Sequence, residues 1–383
     1  MPNNMQVRRL RLATTSQAVR GAARGADNDF EIRDVRVWTL REPVSKRAYT
    51  VIRIQTRSGM TGYGECAALP AAELDGATKV MVGKPVTAFE VTAPLLAGFP
   101  TARAALNIAM LDVVGKTTNA PIYQVLGGPT RFKVRALTAL AGDSEATLLS
   151  SMRRAQAAGF RAFLVPAPPT TNRNQGQAYV LAVKKRLEAL RAAGGPGTDF
   201  VLDGGNRLTP GDAQMVSAAI ERFHVLWFNE PCPPTNLGAL RKIAGENVTP
   251  IGIGRHIREG SEIQDLLRED AVDIIRPDIG LNGISQIRRM AAIAETYYVA
   301  VGPTHDGGPI GTAAALHLAA AIPNFFIQEI PWPEAEEDRR MRSEFTMTPA
   351  EVIRDGFAEL PVGPGLGITV NEQSLEKYKE RTR

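Results

Sequence analysis

The chain has 383 residues, 44% of them hydrophobic and 22% charged, which fits a globular protein with a large core and leaves room for a barrel plus a second module. No run of about 18 apolar residues occurs, so a membrane-spanning helix is not expected. The net charge of +5 is modest, part of it sits in an Arg-rich start (Arg8, Arg9, Arg11, Arg20, Arg24), and no basic stripe interleaved with aromatics follows, which argues against nucleic-acid binding.

In chain order, residues 1–29 are Arg-rich and lack the apolar stretch of a secretory signal; they read as a disordered leader, with a transit-like extension as the alternative. From Glu31 the text turns to β. IRDVRVWTLR (32–41), YTVIRIQT (49–56) and MTGYGECA (60–67) alternate and predict an antiparallel meander. Weak helical text runs to Gly98, and TARAALNIAMLDVVGK (101–116) repeats apolar residues at helical spacing. The expected domains are a cap over 30–100, a barrel over 101–332 and a C-terminal segment over 333–383 that returns to the cap.

After Lys133 short apolar runs alternate with amphipathic helical stretches. The runs are VRALTAL, RAFLVPA, DFVLDGG, VLWFNEP, PIGIGRH, VDIIRPD, AVGPT and FFIQE. Eight strands with helical crossovers predict a parallel (β/α)7β barrel, and their unbroken apolar character suits strands buried on both faces. Reactive groups of such barrels sit at the C-terminal ends of strands. Those ends carry Asp203, Asn229 with Glu230, Arg255 with His256, Asp278, His305 and Glu329. Polar groups closing six consecutive apolar runs point to a functional mouth. His224 and His317 lie in helical text and read as structural, and His256 is expected to face the helices. Cys66 and Cys232 lie far apart and read as free thiols of a cytoplasmic protein.

FVLDGGNRLTP, LWFNEPCPP, IIRPDIGLNG, VGPTHDGGPIG, FFIQEIPWP and GPGLGITV, in that order, resemble the strand ends and C-terminal return of the enolase superfamily, in particular its mandelate racemase/muconate lactonizing enzyme type and acid-sugar dehydratase branch. The resemblance covers Phe30 to the C-terminus. It implies proton abstraction α to a carboxylate, followed by dehydration or isomerisation. It also implies a small hydroxy-carboxylate substrate such as a sugar acid, and a homo-oligomer. Asp203 matches the first ligand of the family's magnesium ion, Asp278 the residue that orients a catalytic histidine, His305 that histidine, and Glu329 a residue facing the substrate carboxylate.

Three departures accompany the match. Asn229 stands where the family has its second acidic ligand, with the acid displaced to Glu230. Arg255 follows Gly254 where the third acid is usual. Magnesium favours anionic oxygen ligands, so Asp203, Asn229 and Glu230 make a degenerate metal site, and Arg255 with Asn229 can instead bind substrate. The second barrel strand ends on Leu164, Val165 and Pro166, with no lysine base. His305 lies one residue later after Pro303 than the family wording has it, yet 305 − 278 = 27 residues keeps the usual interval, so an Asp278–His305 dyad is expected. Two readings stand: an enzyme of the lyase or isomerase kind, or a non-catalytic or metal-independent relative that holds a carboxylate through Arg255.

Overall fold

In a computed structural model, residues 29–170 and 174–380 are described; the leader apart from Asp29 lies outside them. The chain opens with an antiparallel sheet in the order β1 (Ile32–Arg41), β2 (Ala48–Thr56), β3 (Thr61–Ala67). Helices α1 (Ala71–Met81), α2 (Phe89–Thr92), α3 (Pro100–Thr117) and α4 (Ile122–Val125) follow. Strand alternation divides the sheet between two cores. Ile52, Ile54 and Cys66 pack with Ala102, Ala105 and Ala109 of α3, while Tyr49, Val51 and Tyr63 pack into the large core shared with the barrel helices.

Helix α3 lies almost backbone to backbone on β3. A Cβ at Gly62 would stand 2.1 Å from the Ala109 carbonyl oxygen, and one at Gly64 only 1.9 Å from that of Ala105. Gly64→Ala is therefore expected to cost about 1–3 kcal/mol by overpacking, read as a lower urea midpoint with an unchanged slope; an unchanged midpoint would show that the helix can lift away freely.

The barrel strands are β4 (Lys133–Ala139), β5 (Ala162–Pro166), β6 (Asp199–Asp203), β7 (Phe228–Asn229), β8 (Ile251–Ile253), β9 (Ile274–Ile275), β10 (Ala300–Val301) and β11 (Gln328–Glu329). Between them run α5 (Glu145–Ala157), α6 (Gly176–Gly194), α7 (Pro210–Ile220), α8 (Leu237–Glu246), α9 (Gly260–Arg268), α10 (Ile279–Glu295) and α11 (Pro309–Ala321). Neighbouring strands pair in parallel from β4 to β10, β11 pairs with β4, and a bridge between Val301 and Phe325 closes the ring. The interior is filled by Leu137, Ala162, Leu164, Val201, Trp227, Ile274 and Ile327.

The tail comprises α12 (Glu336–Phe345), β12 (Ile353–Arg354), β13 (Phe357–Glu359) and α13 (Glu372–Tyr378). The β12–β13 hairpin does not reach the cap; it pairs antiparallel with β4. The chain then meets α3 and α4, where Ile122 N–H bonds the Gly365 carbonyl, and α13 lies along β1, where Trp38 Nε1 donates to Glu376 at 2.7 Å. Among the described residues no helix is long and apolar enough to cross a membrane.

Candidate active site

Strand parity decides which side chains reach the barrel mouth. A residue two positions beyond an inward-facing one also faces inward. Val201 therefore leads to Asp203, Trp227 to Asn229, Ile274 to Arg276 and Asp278, and Ile327 to Glu329. Glu230 falls on the wrong parity. Its backbone turns left-handed at φ 43°, and its buried carboxylate accepts from the N–H groups of Gly254 (2.8 Å) and Arg255 (2.9 Å) at the end of β8.

Beneath the mouth the fully buried Arg276 ties four strands together. It donates to Asn229 Oδ1 (2.8 Å), Glu329 Oε2 (2.6 Å) and the Gly302 carbonyl (3.1 Å), and its guanidinium lies 4.8 Å from the centre of the Trp227 ring. Gly252 makes room for that indole, since a Cβ there would stand 2.3 Å from Trp227 Cδ1. Arg255 emerges after Gly254, whose φ is 138°, and brings Nη2 to 3.6 Å from Glu329 Oε2. Glu329 is thus the counter-ion of two guanidinium groups. The expectation gave it a substrate carboxylate to face; the structure sets its carboxylate against these two cations. Nε and Nη2 of Arg255 have no hydrogen-bond partner among the described residues.

The expected dyad does not form. Asp278 caps α10, accepting from Leu281 N–H (3.1 Å), and its other oxygen accepts from Thr304 Oγ1 (3.2 Å). The reason is register: Ala300, Gly302 and Thr304 hold the inward positions after β9, and Thr304 bridges to Asp278. His305 is one residue further and turns toward the cap. Its Nε2 bonds the Gly308 carbonyl at 2.8 Å. A carbonyl only accepts, so Nε2 carries the proton, and the partnerless Nδ1 is the basic nitrogen. Burial lowers the imidazole pKa to about 4, which keeps it neutral, and raises Asp278 to about 7, which leaves part of it protonated near neutral pH.

A cavity of about 360 Å³ opens at the mouth, with Arg255, Asp278, His305 and Glu329 in its wall together with Glu65 of β3 and His256. His256 is exposed there, not turned to the helices as expected. A second cavity of about 310 Å³ shares His305, Asp306 and Glu329 with the first. Asp203, Asn229 and Glu230 line neither. His317 is buried in α11 and bonds Tyr123 N–H, and His224 ends a short turn of 3-10 helix. Cys66 and Cys232 are free and buried.

The donor set does not suit a magnesium ion. Asn229 Oδ1 already accepts from Arg276 and from Trp227 Nε1 (3.1 Å), while its amide nitrogen donates to Asp203 Oδ1 at 2.7 Å. Glu230 is spent on backbone N–H groups, and Arg255 adds a cation to the space where an acid is expected. Among the described residues no three His, Cys, Asp or Glu side chains converge closely enough to hold a metal. One free carboxylate cannot offset the dehydration of so strongly hydrated an ion.

Sequence reasoning missed Arg276, Thr304 and Glu65. The signal for Arg276 was its place two residues before Asp278 in an apolar run. For Glu65 it was a carboxylate on the same strand face as Tyr63.

Residues 147–374 match the enolase C-terminal domain-like family, and residues 32–127 match the mandelate racemase / muconate lactonizing enzyme N-terminal domain. A D-galactonate dehydratase family member of Streptomyces bingchenggensis is 28% identical over 376 residues, spanning 87% of this chain and 90% of that protein. A D-xylonate dehydratase of Haloferax volcanii is 27% identical over 387 residues, spanning 93% of this chain and 90% of that protein. Among solved structures, a mandelate racemase/muconate lactonizing enzyme-like protein of Roseovarius superposes with a TM-score of 0.82 at 26% identity, covering 92% of this chain and 96% of that one. Fold, order of strand ends and both domain matches agree: this chain belongs to the enolase superfamily, of the mandelate racemase/muconate lactonizing enzyme type.

Proposed function

We propose that this protein is a lyase of the acid-sugar dehydratase kind that removes water from a small polyhydroxy carboxylate, with Arg255 rather than a divalent ion holding the carboxylate. One observation carries the reading: Arg255 and His305 belong to the wall of one cavity, and the enclosed Arg255 Nε and Nη2 and His305 Nδ1 have no hydrogen-bond partner among the described residues. Guanidinium binds carboxylate through two parallel hydrogen bonds. Its charge then stabilises the enediolate that forms when the α-proton leaves.

His305 Nδ1 takes the α-proton, and the C–H electron pair becomes the enediolate. Asp278, in its protonated form, gives a proton to the departing β-hydroxyl, which leaves as water while the C–O electron pair departs with it. Solvent then returns a proton to Asp278 and removes one from His305. Asp278 and His305 follow adjacent strands, so both transfers occur on one side of the substrate. A single positive charge stabilises the enediolate less than a divalent ion does, which makes the reaction slow or restricts it to acids with a more acidic α-proton.

The test is a sugar-acid screen in D2O with chelator present, reading water loss and deuterium at Cα. Turnover is expected to be the same with chelator as with millimolar magnesium, and Arg255→Gln is expected to raise KM about 10- to 100-fold. Turnover that depends strictly on added magnesium removes Arg255 as the clamp. Binding of an acid without any exchange makes the protein a non-catalytic relative.

A further inference from the structure

We infer that Glu65, carried on cap strand β3, is the carboxylate partner of His305 and sets its proton affinity, the task expected of Asp278. The inference rests on His305 as the proton acceptor. Glu65 Oε1 lies 3.7 Å from His305 Nε2, and both side chains are buried. Oε1 accepts the Gly308 N–H, while the carbonyl of the same Gly308 accepts from Nε2. One glycine peptide therefore holds both members of the pair. Oε2 has no hydrogen-bond partner among the described residues.

The segment His305-Asp306-Gly307-Gly308 and the first turn of α11, Pro309-Ile310-Gly311, are shaped around this carboxylate. A Cβ at Gly307 would stand 2.4 Å from Glu65 Oε1 and 2.7 Å from His305 Cε1. At Gly308 it would stand 2.7 Å from Oε2, and at Gly311 2.8 Å from Oε1 and 2.3 Å from Cε1. Three glycines in five residues thus make room for the pair, which accounts for the wording GGPIG better than a turn requirement does. Asp278 does not take the task, since it caps α10 and accepts from Thr304, and it makes no hydrogen bond with His305 among the described residues.

The other charged groups around the pair are Arg342, which donates to the Gly307 carbonyl, Glu42 and Glu351 beside Arg342, and the Arg47–Asp306 ion pair; the Tyr49 ring packs against Gly308. Burial raises the Glu65 pKa to about 8 and lowers that of His305 to about 4, so near neutrality Glu65 is largely protonated and the imidazole neutral. Once Glu65 is ionised, its negative charge beside Nε2–H favours the imidazolium. The α-proton then goes to Nδ1 with its C–H electron pair left on the substrate, and Glu65 itself exchanges nothing with the substrate.

The experiment follows the ring nitrogens of 15N-histidine-labelled full-length protein by NMR against pH, without substrate. The His305 signals are those lost in His305→Asn. The wild type is expected to show a His305 step near pH 8, where Glu65 titrates. Glu65→Gln keeps an acceptor for Gly308 N–H but not the charge, and is expected to erase that step. Where activity is measured, the same substitution is expected to remove the rise of kcat toward pH 8 with KM unchanged. Absence of the upper step in the wild type overturns the inference by itself, as do superimposable His305 curves in the two proteins. The NMR readout needs no turnover, so a failed lyase reading leaves it standing.

Discussion

Exchanging His305 for asparagine is expected to lower Cα exchange and dehydration about 10²- to 10⁴-fold, the usual contribution of a positioned general base. Asparagine can still donate to the Gly308 carbonyl but offers no basic nitrogen at neutral pH. The loss therefore belongs in kcat. Affinity for the acid, set by Arg255, is expected to stay within about threefold. Isotope exchange and calorimetry on the same preparation separate the two quantities. Retained exchange would move the base elsewhere, and Asp278, with its pKa raised to about 7, would be the next residue to substitute.

Arg276→Met carries the largest expected stability effect. Removing one partner of a buried ion pair typically costs about 3–5 kcal/mol, because the other charge stays buried. Here Glu329 loses its 2.6 Å partner and Asn229 Oδ1 its 2.8 Å donor. Arg255 still stands 3.6 Å from Glu329, which puts the cost toward the lower end, about 3 kcal/mol. A urea denaturation midpoint measures it, and Arg276→Met combined with Glu329→Gln is expected to recover part of the loss. A single variant as stable as the wild type would mean that Glu329 is held by Arg255 instead.

Much of the architecture was legible because period-2 and period-3.6 patterns are local. The eight apolar runs, the meander before them and the glycine-rich return were all written in consecutive residues. The mouth was legible where parity carries through a strand, as from Val201 to Asp203 and from Ile327 to Glu329. It failed at His305 because one residue of register moves a side chain to the other face of a strand. Counting 27 residues from Asp278 measured chain length and not facing, and Thr304 took the inward place. The destination of Glu329 was hidden for a different reason. Its partner Arg276 lies 53 positions away, and a salt bridge of that separation leaves no local pattern. Glu65 was hidden likewise, 243 positions before the glycine whose N–H it accepts.

Helix α3 and strand β3 lie almost backbone to backbone, and β3 is the strand that presents Glu65. A chimera exchanging the first 127 residues for those of a relative would thus graft more than substrate preference. It would import a foreign acid, or none, behind the imidazole, and so alter reactivity through a segment that contributes no barrel strand.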